Sequence, residues 1–131
     1  MLEADIVRAQ LEGLPTVRLA YLFGSAAAGR LRPDSDVDVA VLLSAPAPPR
    51  FLDGLTDDLS LALHRPADLV DLSTAPPLLA HEVISRGRCV LFRDSSERAD
   101  FETRVICRFA DTAHLRRIQH AALHERSRGT R

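Results

Sequence analysis

Two aspartates separated by a single valine, Asp36-Val37-Asp38, are the residues in this chain best suited to chemistry. They open the segment Asp36 to Leu43 (DVDVAVLL), which alternates polar with β-branched residues and then turns fully apolar. That is the pattern of a strand whose far end is buried on both faces. A strand repeats every two residues, so the spacing sends both carboxylates to one face, close together. Like charges that near repel unless a cation lies between them. Magnesium, a hard ion that takes oxygen ligands, commonly binds through one or two carboxylates plus substrate phosphates. An Asp-x-Asp pair alone also fits a solvated strand face, and glycosyltransferases carry the same pair.

The preceding segment narrows the chemistry. Gly24-Ser25-Ala26-Ala27-Ala28-Gly29-Arg30 directly follows an apolar run, Val17 to Phe23, that reads as a strand. Small residues let a phosphate approach the backbone, N–H groups at a helix start point toward an anion, and Ser25 adds a hydroxyl donor. The segment is therefore expected to be a turn opening a short helix, a phosphate cradle beside a metal site. Arg30 and Arg32 lie where they could reach triphosphate oxygens, or they are solvated. A third acid, Asp68 or Asp71, could complete the carboxylate cluster and take a proton from an acceptor. Those two are an odd number of residues apart on one strand, so they face opposite sides and only one can serve.

Several competing patterns fail. Gly24 to Gly29 has P-loop spacing, but Arg30-Leu31 stand where Lys and Ser/Thr belong, and all 17 basic residues are arginine. The absence of lysine also rules out Schiff-base chemistry. His81-Glu82 begins a zinc-protease pattern, yet Ser85 replaces the second histidine, leaving an exposed helical pair. Cys89 and Cys107 read as core or half-buried packing residues.

Around these residues the chain alternates helices with strands. Leu2 to about Gly13 is an amphipathic helix, Arg30 to Ser35 a polar connection and Ser44 to Arg50 a proline-rich loop. Phe51 to His64 carries Leu52, Leu55, Leu59 and Leu63 on one helical face. Ala67 to Leu72 is a third strand, Pro76 to Arg86 a helix, and Arg88 to Phe92 a fourth strand. Residues from about Ser95 to Ser127 form one or two helices with an arginine-rich end. The expected fold is α/β (α+β), a mixed four-stranded sheet with helices mainly on one face.

A chain of 131 residues, 46% hydrophobic and 27% charged, suits one folded domain, and no apolar run reaches the length of a membrane helix. Residues 1–95 read as the catalytic core and 96–131 as a helical extension of the same domain with a basic tail. Residues 1–97 hold 9 Arg against 14 acids, and residues 98–131 hold 8 Arg against 4. The basic end is either a solvated helix or a docking surface. With no signal-peptide pattern and only two cysteines, the expected location is the cytoplasm.

Taken together, Gly24-Ser25, Gly29-Arg30 and Ser35-Asp36-Val37-Asp38 resemble the signature of polymerase-β-type nucleotidyltransferases, in particular the minimal nucleotidyltransferase (MNT) group, over roughly residues 15–93. The resemblance implies the polymerase-β-like nucleotidyltransferase fold. It also implies that Gly24, Ser25, Gly29 and Arg30 hold the nucleotide, and that Asp36, Asp38 and Asp68 bind magnesium, as two ions, and act in catalysis. Asp71 is the second choice for the third acid. Members of the MNT group are typically antitoxins that move AMP from ATP to a tyrosine of a HEPN ribonuclease toxin. The implied function is thus a protein adenylyltransferase in a hetero-oligomer with a HEPN toxin, needing no membrane and no direct nucleic acid. Two rivals are a binding antitoxin with an idle site and a stand-alone transferase acting on a small molecule or RNA end. The segment Phe101 to Leu123, with Phe101, Val105, Phe109 and Ile118, is either a docking face or a core-packing helix. Arg108 and His114 match the spacing of the HEPN motif, but the chain lacks room for that all-helical bundle.

Overall fold

A computed structural model of the chain describes residues 2–30, 32, 34–113, 115, 117–119, 121 and 122. Four strands, β1 (Val17–Phe23), β2 (Val37–Leu43), β3 (Ala67–Asp71) and β4 (Arg88–Phe92), form one sheet in the order β3-β2-β1-β4. The sheet is mixed, as expected: β1 runs antiparallel to β2 and β4, while β2 and β3 are parallel.

Helices cover both faces of the sheet, which corrects the expectation that they lie mainly on one. On one face, Val7 and Leu11 of α1 (Leu2–Glu12) and Leu55, Leu59 and Leu63 of α2 (Pro49–Leu63) pack on Ala20, Leu22, Val37, Val39 and Val41. On the other, Ala80 and Val83 of α3 (Pro77–Arg86) and Phe101 and Val105 of α4 (Ser95–Asp111) pack on Leu19, Tyr21 and Ala40. The apolar second half of β2 reflects this double burial. α4 is further fastened by Tyr21, whose hydroxyl donates to Glu102 Oε1 at 2.8 Å, and by the Arg18–Glu97 ion pair at 3.0 Å.

Local departures from the sequence reading have simple causes. Proline suits the first turn of a helix because its missing N–H has no partner there anyway, so Pro49 and Arg50 belong to α2 and not to the loop. The third strand ends at Asp71, whose Oδ1 accepts from the Ser73 amide and hydroxyl and turns the chain away. Cys107 is exposed, not packed, while Cys89 is half-buried. His81 is half-buried and stacks on Phe109 at 3.7 Å between ring centroids, so only Glu82 of that pair is exposed. His114, Leu123 and the basic tail lie outside the described residues.

Arg93, just past β4, ties the first helix to the sheet. Its guanidinium donates to the carbonyls of Leu11, Glu12, Leu14 and Val17 at 2.9–3.1 Å. α1 has no basic residue in its own last turn, so Arg93 supplies from a distance the cation that a helix C-terminus favours. Arg93→Ala is expected to lower stability by about 2–4 kcal/mol, because several carbonyls lose a charged donor at once. Urea denaturation checks this. An unchanged midpoint would mean that solvent satisfies those carbonyls equally well.

Candidate active site

The acidic cluster forms where β1 ends and β2 and β3 begin. Asp38 is the register partner of Phe23 on one side and of Asp68 on the other. Side chains of aligned residues in paired strands leave the same face, so Asp38 and Asp68 stand side by side on the face that carries Ala40 and Val70. Asp71, three residues on, belongs to the opposite face and is engaged in its own turn. Asp36 lies one residue before β2 rather than inside it. Its charge nevertheless reaches Asp38: burial first, then Asp68, then Asp36, hold the Asp38 carboxyl above its ordinary value of 3.8. The charges of Asp68 and Asp36 both reach the Asp38 carboxyl, although Asp36 falls outside the strand on which the two-residue spacing argument depends.

Because Gly24 follows Phe23, the Gly-Ser turn leaves the sheet directly beside Asp38. Gly24 has a φ of +66°, and a Cβ built on it would strike Asp38 Oδ2. Residues 24–29 form a turn and no helix. Its hydrogen bonds run from Ala28 N to Gly24 O at 3.2 Å, Gly29 N to Ala26 O at 3.4 Å and Arg30 N to Ser25 O at 2.9 Å. The expected helical segment thus shrinks to a closed turn that gains no helix dipole. Any anion held there meets turn amides and the half-buried Ser25. Buried Ala26 anchors the turn in the core, while Gly24, Gly29 and Arg30 are exposed.

Among the described residues, no three His, Cys, Asp or Glu side chains stand close enough to enclose a cation on their own. The donor set still suits magnesium, which usually takes one or two protein carboxylates and leaves its remaining positions to phosphate and water. Burial is the first cause of the raised Asp38 carboxyl, and Asp68 and Asp36 add a repulsion that a cation would relieve.

A family model described as polymerase beta, nucleotidyltransferase matches residues 7–96. The chain belongs to the polymerase-β nucleotidyltransferase family. Protein adenylyltransferase MntA of Shewanella oneidensis is 34% identical to this nucleotidyltransferase over 86 residues, 66% of this chain and 62% of that protein. The match thus spans a little under two thirds of that relative's length. Among solved structures, a chain in the crystal structure of a toxin–antitoxin with AMP-PNP superposes with a TM-score of 0.78 at 27% identity. That match covers 93% of this chain and 96% of that one. Another, in the structure of a tri-AMPylated Shewanella oneidensis HEPN toxin in complex with MNT antitoxin, gives 0.72 at 26% identity, covering 95% of each.

Proposed function

We propose that this nucleotidyltransferase is an antitoxin that transfers AMP from ATP to a tyrosine hydroxyl of a partner HEPN toxin and so neutralises it. The observation that carries the reading is the placement of the Asp68 and Asp36 charges around the Asp38 carboxyl, with the Gly24 turn against it. The relative named a protein adenylyltransferase and the neighbour holding an AMPylated HEPN toxin with its MNT antitoxin point the same way.

In this reading the Gly24-Ser25 turn, with Gly29 and Arg30 at its far end, receives the triphosphate. Asp36 and Asp38 would hold magnesium, with Asp68 as a third ligand. Bound magnesium would supply charge neutralisation for the triphosphate and the attacking oxygen. Asp68, exposed where its strand neighbour Asp38 is half-buried, accepts the proton of the tyrosine hydroxyl. The phenolic oxygen then forms a bond to the α-phosphorus as the bond from that phosphorus to the bridging oxygen breaks, and pyrophosphate leaves with the electron pair.

Residues 1–95 form the transferring core in this proposal, and 96–131 extend it. Phe101 and Val105 are buried against the sheet, so for them the packing reading replaces docking. Ile106, Leu115 and Ile118 are about half exposed and remain open to a partner. No helix among the described residues is long and apolar enough to cross a membrane, and both cysteines are free thiols, which suits a reducing cytoplasm.

The test is incubation of the chain with ATP, magnesium and its cognate HEPN protein, followed by intact-mass and peptide spectrometry. Adenylate on a tyrosine of the partner is expected, with loss of its ribonuclease activity. Neutralisation without any mass change would replace transfer by simple binding.

A further inference from the structure

One arginine that sequence spacing did not mark is placed to control the loop carrying the first catalytic aspartate. Arg65 follows the end of α2, where the chain is rigidly closed. His64 takes a left-handed conformation (φ 56°) with its amide on Leu61 O at 3.4 Å, and the Arg65 amide reaches Ser60 O at 3.3 Å. This pair of bonds is a Schellman-type helix cap, which satisfies the last carbonyls of the helix. The same connection is locked to β2 and β3. Ser60 Oγ accepts from the Ala67 amide at 2.9 Å, and Pro66 O accepts from the Val37 amide at 3.0 Å. Fully buried Leu59 anchors the helix behind it.

From this base the Arg65 guanidinium crosses to the loop between the Gly-Ser turn and β2. Its Nη1 donates to Arg32 O at 2.8 Å. That carbonyl also accepts the Ser35 amide at 3.0 Å, and the Arg32 amide donates to Ser35 Oγ at 3.1 Å. Arg32 and Ser35 therefore close a small turn through two mutual bonds, and the next residue is Asp36. Exposed on its own, such a turn has little to hold it, since neither Arg32 nor Asp34 is buried. The Arg65 bond is the one long-range hydrogen bond recorded for it among the described residues.

The geometry points to Arg65 as a positioning residue that fixes the Asp36 loop for transfer by a strut from the α2–β3 connection to Arg32 O. The inference rests on the adenylyl-transfer reading for its kinetic consequence, but not for its structural one. A donor to a neutral carbonyl orders the backbone without touching nucleotide, and small misplacements of a reacting group are costly, on the order of a hundredfold for 1 Å.

Two measurements on the full chain test it. Amide hydrogen exchange without nucleotide or metal should show faster exchange at Arg32 and Ser35 in Arg65→Ala, with β2 unchanged. Steady-state transfer should show kcat reduced by roughly 10- to 100-fold with KM for ATP moved less than threefold. Arg65→Lys, which keeps a donor of similar reach, should recover most of both effects, and Arg65→Met, which keeps the aliphatic stem without a donor, replaces the alanine variant if that one does not fold. Unaltered exchange at Arg32 and Ser35 in the variant that lacks the donor, alanine or methionine, overturns the strut. A rise in KM with kcat intact also overturns it, by making Arg65 a nucleotide ligand. If the wild-type protein transfers nothing, the functional reading fails, and the exchange data alone decide whether the strut exists.

Discussion

Asp38→Asn is expected to reduce adenylyl transfer by on the order of a thousandfold or more while leaving the domain at least as stable as the wild type. In the proposed reading Asp38 is a charged metal ligand, whose removal would forfeit several kcal/mol of transition-state stabilisation, and each ~1.4 kcal/mol is a factor of ten. The stability half of the expectation has the opposite sign, for a definite reason. Burial and the charges of Asp68 and Asp36 raise the Asp38 carboxyl above 3.8, so the folded domain binds that proton more tightly than the unfolded chain does. The contribution of this group to stability is therefore complete below the ordinary carboxylate value and is lost as pH rises through the raised one. Asparagine is neutral throughout and mimics the protonated group. The variant should match the wild type in strong acid and exceed it at neutral pH, modestly, because the carboxyl is partly open to solvent. Thermal melts across pH, beside a transfer assay, read both halves. An inactive variant that melts well below the wild type at pH 7 would mark Asp38 as a structural residue, and an active one would dismiss it as a ligand.

That trade between function and stability explains why the candidate site is legible in the sequence. An Asp-x-Asp pair at the head of an apolar strand is a local conflict, since the strand gains from burial and the carboxylates lose by it. The strands themselves were readable because Val17–Phe23 and Arg88–Phe92 are short apolar runs bounded by turn residues. The family resemblance chose Asp68 over Asp71, strand parity said only that the two could not both serve, and the register of Asp38 with Asp68 puts those two on one face. Parity could not reveal which face of the sheet each helix covers. α1 and α2 on one side and α3 and α4 on the other present similar amphipathic stripes, and only the paired-strand topology distributes them. Nor could it reveal Arg65 or Arg93, whose partners are backbone carbonyls far along the chain and carry no residue-type signal. The segment 24–29, expected to open a helix, does not do so. Small residues permit a helix start, but with glycines at positive φ at both ends the chain closes a turn instead.

Gly24→Ala provides the sharpest separation between backbone freedom and site geometry, because Gly29 serves as an internal control. Both glycines have nearly the same left-handed backbone, φ +66° and +69°, so alanine at either position should cost about 1 kcal/mol or somewhat more in strain. Their surroundings differ. A Cβ at Gly29 meets nothing within 4 Å, whereas one at Gly24 meets Asp38 Oδ2. To accommodate it, either the turn must leave the end of β1 or the Asp38 carboxylate must swing from the position it shares with Asp68. Either movement separates the Gly24-Ser25 turn, the proposed triphosphate site, from the acids. Gly24→Ala should therefore lose at least ~100-fold in transfer, the scale of an ångström of misplacement, while Gly29→Ala loses far less at a similar cost in stability. Gly24→Asn sharpens the comparison, since asparagine tolerates the left-handed region but still carries a Cβ, so it should regain stability without regaining activity. Parallel melts and transfer rates for the three variants decide the matter. Equal activity losses at positions 24 and 29 would mean that strain alone governs the turn and that contact with Asp38 has no part in catalysis.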